Sequence, residues 1–157
     1  MPITPQQLEA LLPRAADWVA SLETAALRSG EELNETELGF ARRIGIAAPE
    51  RIRLMKVESM PQPSDPTLAW AANETGLLGP DIAGVTFRYA IFVRSDFWKE
   101  LRLVIHEMAH THQYERFGGI LPFLKQYISE CVTVGYHNSP LELEARAVEK
   151  RFTDGNL

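Results

Sequence analysis

The chain of 157 residues has a single cysteine, Cys131. One cysteine cannot form an intrachain disulfide, so nothing in the sequence argues for an oxidising compartment. The N-terminal residues also lack a basic segment followed by an apolar run, which is the pattern of a secretory signal. We therefore expect a cytoplasmic protein in which Cys131 is a buried core thiol.

Long apolar runs and clusters of basic residues are missing as well. No apolar stretch approaches the ~20 residues that a membrane-spanning helix needs. The 16 Lys and Arg residues are outnumbered by 21 Asp and Glu residues and are interspersed with them. The chain thus lacks the basic surface that nucleic-acid binding requires. We expect neither a membrane nor a nucleic acid as a partner.

The overall composition is that of a globular protein, with 45% hydrophobic and 24% charged residues. A chain of this length fits one compact domain. We predict a single α+β domain over residues 1–157. A helical N-terminal part over residues 1–47 is expected to pack on a small sheet and on a core formed by residues 84–147.

The first helix is predicted from the signals at its N-terminus. Thr4 is a suitable N-cap residue, Pro5 takes the first helical position and Gln7 stands at N3. Pro13 interrupts the pattern that follows. The sequence therefore predicts either a kink or a short first helix before a better helix over about residues 14–28.

The remaining elements are predicted from apolar periodicity and from stop signals. Alternation of side chains after Gly84 predicts one strand over residues 85–93. Ser95–Asp96 is predicted to cap a long helix that ends at Phe117, before Gly118–Gly119. The other predicted elements are a helix over residues 34–44, a strand over 51–58, an exposed loop over 61–66, a helix over 121–134 and a last helix that begins at Ser139–Pro140.

The predicted long helix contains the sequence His106-Glu107-Met108-Ala109-His110. Residues four apart lie on one helix face, so His106 and His110 project together with Cβ atoms about 5–6 Å apart. Zinc accepts neutral imidazole nitrogens, and a catalytic site adds a third protein ligand and leaves a position for water. Glu107 lies beside that position and can act as a general base. The motif predicts a zinc-dependent hydrolase.

The competing interpretation is a helix whose histidines lie on a solvated or partly buried face without metal. Histidine is uncommon, so a chance match to His-Glu-x-x-His is expected in roughly one chain of this size in a few hundred. The apolar run Leu103–Ile105 directly before the motif can pack the helix into the core. This context favours the metal site.

The segments His106–Tyr114 and Pro140–Ala145 resemble the zincins whose third ligand is a glutamate on a later helix. More narrowly, they are similar to poorly characterised bacterial zincin-like domains with a His-Glu-x-x-His-x-x-Gln core. The resemblance covers about residues 84–147. It implies a zincin-like metallopeptidase fold, a Zn²⁺ cofactor and a peptide or protein substrate. It also implies an edge strand over the cleft, here Val85–Val93, that pairs with an extended peptide.

Two glutamates are candidates for the third ligand, Glu142 and Glu144, and the resemblance favours Glu142. The alternative role of Glu142 is in a capping box, because Ser139 stands three residues before it at the predicted N-cap. Arg146 occupies the position where these families usually have Asp. The carboxylate that would orient a histidine ligand is therefore unassigned.

Four further polar residues lie near the predicted site. His112 is two residues past His110 and should point to another side of the helix. Gln113 shares the face of the motif and is predicted either to contact a ligand histidine, to line the cleft or to form a structural hydrogen bond. Tyr136 and His137 lie on the turn before the glutamate helix, where Tyr136 is predicted to donate to an oxyanion, although such residues are often only exposed.

Two other functions remain open at the level of sequence. A zincin-like scaffold can hold a metal or a protein partner without turnover, and the absence of a base at position 107 would favour that function. A purely structural helical protein would bind no metal at all. The presence of Glu107 favours the enzyme.

Overall fold

The computed structural model describes residues 3–154, and within them the chain is an α+β protein, as predicted. The helices are α1 (Pro5–Ser29), α2 (Glu35–Ile44), α3 (Pro66–Thr75), α4 (Leu101–Phe117), α5 (Ile120–Val134) and α6 (Pro140–Thr153). The strands are β1 (Glu31–Glu32), β2 (Arg53–Val57), β3 (Gly84–Phe87) and β4 (Ala90–Arg94). No helix among the described residues has the length and apolar character needed to cross a membrane.

The four strands form one mixed sheet in the order β1-β2-β4-β3. β2 and β4 run parallel, whereas β1 and β3 are antiparallel to their neighbours. β3 is therefore an edge strand. Its contacts place this edge beside α4, which carries the histidine motif.

The prediction of one strand over residues 85–93 is wrong, because the chain reverses at Arg88 and Tyr89 to form a β3–β4 hairpin. Arg88 has a positive φ of 60°. Its guanidinium donates to the buried Glu23 carboxylate over 2.8 and 2.7 Å, and the Tyr89 amide donates to the same group over 3.0 Å. A contact with α1 thus stabilises a turn that has no glycine or asparagine to mark it.

The N-terminal helices follow their capping signals. Thr4 and Gln7 form the predicted reciprocal hydrogen bonds at the start of α1. α1 then continues through Pro13, so the alternative of a separate short first helix is wrong. Asn34 and Glu37 form a second capping box at the start of α2.

Two other elements differ from the prediction. α4 begins at Leu101, because residues 95–97 form a short 3-10 turn and Lys99 has a positive φ of 65°. α3 was not predicted at all. It begins at Pro66, at the end of the predicted loop. The Asp65 carboxylate accepts hydrogen bonds there from two amides of the first turn.

The sheet separates two groups of core side chains, because successive residues of β4 face opposite sides. Ile91 and Val93 pack with Val104 and Met108 of α4. Phe92 packs on the other side, among residues of α1 and α5. α4 is consequently buried along most of its length, and its polar motif lies inside the protein.

Candidate metal centre

The first turn of α6 meets α4 at the two histidines of the motif. The Nε2 atom of His106 lies 3.0 Å from Oε1 of Glu142, and the Nε2 atom of His110 lies 2.9 Å from Oε2 of the same carboxylate. All three side chains are buried. Each side chain offers one potential ligand atom, and these three atoms all lie within 4.8 Å of one another. The fold thus brings Glu142 to the face that helical spacing assigns to the histidines.

Two imidazole nitrogens and a carboxylate oxygen are a donor set that suits Zn²⁺. Among residues 3–154, His106, His110 and Glu142 form the one group of three such side chains close enough to share an ion. The residues at this centre therefore fit the metal that the sequence motif implies.

The electrostatics of the centre favour positive charge. Burial lowers the pKa of His106, but the hydrogen bond with Glu142 and the charges of Glu107, Glu142 and Glu149 outweigh it and raise this pKa to about 9. The pKa of His110 is also raised, because Glu142 and Glu107 outweigh its burial. Burial raises the pKa of Glu142, yet its bonds to both histidines bring the net value below the ordinary range. A cation bound at this position would replace protons that the site binds strongly.

The second nitrogen of His106 contacts a carboxylate that sequence reasoning missed. Nδ1 of His106 lies 3.2 Å from Oε2 of Glu149. Glu149 stands seven residues after Glu142, two turns along the same face of α6, and that spacing was the available signal. Arg146 hydrogen-bonds instead to the carbonyl of His137 and lies 4.0 Å from Glu142. Glu149 therefore fills the orienting role that the expected Asp would have had.

Gln113 plays the equivalent part for His110. Nδ1 of His110 lies 2.7 Å from Oε1 of Gln113, whose amide nitrogen donates to the Leu141 carbonyl and to Glu144, each over 2.9 Å. Since Oε1 can only accept, it fixes the tautomer with a proton on Nδ1 and leaves Nε2 facing Glu142. Of the roles predicted for Gln113, two are observed: its oxygen contacts a histidine of the motif, and its nitrogen forms structural hydrogen bonds with α6.

The two candidate glutamates have different surroundings. Ser139 caps α6 by accepting from the Glu142 amide over 3.4 Å, but the Glu142 carboxylate bonds to the histidines and does not complete a capping box. Glu144 is partly exposed and pairs with Arg116 over 2.7 Å. Glu142 is therefore the glutamate that faces the histidines, and the alternative capping role of its side chain is wrong.

Tyr127 of α5 completes the surroundings of Glu142, and no sequence pattern pointed to it. Its hydroxyl donates to Oε2 of Glu142 over 2.6 Å. Its ring stacks on Phe123 with centroids 5.3 Å apart and meets the His110 ring edge-on at 5.8 Å. Aromatic packing thus holds the hydroxyl that orients the carboxylate.

Glu107 is buried and held by the edge strand. The hydroxyl of Thr86 on β3 donates to Oε1 of Glu107 over 2.8 Å and lies 3.0 Å from the Glu107 carbonyl oxygen. A Cβ atom placed on Gly84 would lie only 3.2 Å from Cγ of Glu107. The strand can approach this closely because residue 84 has no side chain. Glu107 lines a cavity that His110 and Glu142 also line.

Tyr136 and His137, on the turn before α6, have different surroundings. Tyr136 is half-buried and lines the same cavity as Glu107 and Glu142. Burial and the charges of these two carboxylates raise the pKa of Tyr136, so the phenol stays protonated and can donate. His137 is exposed. His112 packs toward Gly45, away from the centre, as its position on the helix predicted.

Comparisons of the chain with models of protein families, with curated proteins and with solved structures found no match. The functional argument therefore rests on the geometry of the centre and on the sequence motif.

Proposed function

We propose that the protein is a zinc-dependent peptidase built on a zincin-like domain. His106, His110 and Glu142 would hold the ion, and Glu107 would act as the general base. One observation carries the proposal: three buried ligand atoms converge within 4.8 Å, and Glu107 lines the cavity next to them. Metal ligands with a general base one residue after the first histidine are an arrangement suited to metal-assisted hydrolysis.

Bound zinc would supply Lewis acidity, which acidifies water and polarises a substrate carbonyl. The protein must then move one proton. Thr86 occupies Oε1 of Glu107 with a hydrogen bond of 2.8 Å, which orients the carboxylate. The other oxygen can accept the proton of the attacking water and deliver it to the leaving amine. This proton transfer is the usual work of a general base followed by a general acid.

The edge strand offers a place for the peptide backbone. The Ala83 carbonyl accepts from the Arg94 amide over 2.9 Å, so residue 83 faces β4. By the alternation of an antiparallel pair, Gly84 directs its peptide groups to the unpaired edge of β3, whereas the Thr86 carbonyl on that edge already accepts from the Tyr114 hydroxyl over 3.1 Å. A substrate strand added there would lie beside Glu107.

Tyr136, on the turn before α6, supports the same hydrolysis. Its phenol remains protonated and lines the cavity beside Glu107 and Glu142. A hydroxyl so placed can donate to the oxygen that becomes negatively charged as the amide is attacked. Tyr136 would then matter for the rate and little for holding the ion.

The proposal is tested by metal analysis and peptide cleavage on one preparation. Purified protein is expected to contain close to one zinc per chain, and His106→Ala should lose it. Glu107→Gln should keep the zinc and lose cleavage of a mixed peptide library. Protein that holds zinc but cleaves no peptide would instead support a non-catalytic metal-binding module. Protein without any transition metal would refute the centre itself.

A further inference from the structure

A cavity of about 140 Å³ extends from the metal centre toward the N-terminal helices. Glu107, His110, Glu142 and Tyr136 line the end at the centre. The remainder is walled by β3 and by apolar side chains of three helices: Leu12 and Trp18 of α1, Leu68 and Ala71 of α3, and Leu124 and Ile128 of α5. α1 and α3 precede residue 84, so these walls lie outside the segment that carries the histidine motif.

The apolar character of most of the cavity wall restricts what can enter it. Among the described lining residues, the groups that can carry a charge near neutral pH are Glu107, Glu142 and His110, and all three lie at the centre. The proposed zinc ion would offset the two carboxylates at the centre, so the centre does not by itself exclude an acidic group. Along the rest of the cavity an acidic side chain would lose its hydration against apolar walls without gaining a partner. A lysine or arginine side chain would lose its hydration against apolar walls without gaining a partner along them, and an unpaired buried charge is costly. The occupant that fits these walls is apolar.

The size of the cavity restricts the occupant further. An engineered cavity of about 150 Å³ lined by Leu, Ile and Phe stays dry and binds benzene. The present volume of about 140 Å³ is close to that value. It matches one ring or one branched aliphatic side chain, and a long acyl chain exceeds it.

We propose that this cavity is a specificity pocket for one large apolar side chain, the size of leucine or phenylalanine. That side chain would belong to the substrate residue that adjoins the bond cut at the centre. The inference rests on the proposed peptidase function. It assigns a role to α1 and α3 beyond packing, because their side chains would select the substrate. Removing one methylene from such a contact typically changes selectivity by about 10- to 200-fold.

The test measures binding separately from cleavage. Fluorescent peptides of equal length, blocked at both ends and differing only at one central residue, are titrated into zinc-loaded Glu107→Gln protein, which keeps the pocket but does not turn over. Peptides with Leu or Phe are expected to bind at least about tenfold more tightly than the peptide with Ala, since several methylenes are removed. Peptides with Glu or Lys are expected to bind no better than the Ala peptide.

A filled pocket provides the structural control. Ala71→Phe places a ring in the cavity and should reduce the preference for Leu and Phe at least about tenfold, for the same reason. Ala69→Phe makes the same change on α3 at a residue that does not line the cavity, and it should leave the preference intact. Melting curves check that both variants fold.

Three results would overturn the pocket assignment: equal binding of the Leu and Ala peptides, a preference for Glu or Lys, or an unchanged preference in Ala71→Phe when that variant is folded. Binding of none of the peptides would overturn it too. Tighter binding of a fluorescent fatty acid than of every peptide would reassign the cavity to lipid. The proposed function fails by a different observation, in which wild-type protein binds the Leu peptide but does not cut it.

Discussion

Glu142→Gln is the substitution that most directly tests the structure of the centre. In the metal-free protein the Glu142 carboxylate is buried and bridges two histidines at 3.0 and 2.9 Å. Because the pKa of His106 is about 9, that histidine is protonated at pH 7 and pairs with Glu142. Removing one partner of a buried ion pair costs about 3–5 kcal/mol.

The expected loss of stability lies near the lower end of that range. The Gln amide keeps one oxygen that can accept from a histidine, and the Tyr127 hydroxyl can still bond to it. We expect the free energy of unfolding of the metal-free protein to fall by about 3 kcal/mol. For a chain of this length, that change lowers Tm by roughly 6–12 °C. Zinc affinity should fall by more than the ~10–100-fold seen when an outer-shell partner is lost, because a ligand has been replaced.

Glu144→Gln is the matched control, because it makes the same change two residues further along α6. Glu144 is partly exposed, with 42% of its side chain accessible, and its ion pair with Arg116 is at the surface. Such a pair contributes about 0–1 kcal/mol. Denaturant unfolding of the metal-free variants and zinc titration against a competing chelator give both quantities. The reasoning is refuted if Glu142→Gln retains the wild-type stability and zinc affinity, or if Glu144→Gln loses more of either than Glu142→Gln does.

Three further predictions follow from the contacts around the centre. The folded pKa of His106 is raised from 6.5 to about 9, so its stabilising charge in metal-free protein is complete below pH ~6.5 and is lost as pH rises through about 9. Protons accordingly compete with zinc, so the affinity of the protein for zinc should weaken as pH falls below about 9. A zinc affinity that stays constant between pH 9 and pH 7 in a chelator titration would contradict this. The native Glu149 and Tyr127 side chains contact the proposed ligands His106 and Glu142, so Glu149→Gln and Tyr127→Phe should each weaken zinc binding by ~10–100-fold. Unaltered binding in both variants would show that these two contacts do not orient the ligands. Gly84→Ala should displace Glu107 by a few tenths of an ångström. Because a 1 Å misplacement can cost ~100-fold in rate, kcat should fall by up to about tenfold at unchanged zinc content. Full activity would show that β3 moves to accommodate the methyl group without displacing Glu107.

Features encoded by local spacing could be predicted from the sequence. His106 and His110 share a face because they are four residues apart on a helix, and that relation needs no tertiary contact. The capping signals at Thr4 and Asn34 gave the correct helix starts for the same reason, because each cap bonds within its own first turn.

Features that depend on contacts between distant segments were decided by the tertiary structure. Arg88 reverses the chain because Glu23 of α1 binds its guanidinium, and an alternating pattern of side chains does not contain that contact. Ser139 and Glu142 match a capping box in sequence, yet the carboxylate turns toward the histidines because α6 packs against α4. Tyr127 reaches Glu142 from a third helix. A local pattern specifies which groups one element presents, whereas a buried charge is stabilised by whichever partners the packing of other elements brings within hydrogen-bond distance.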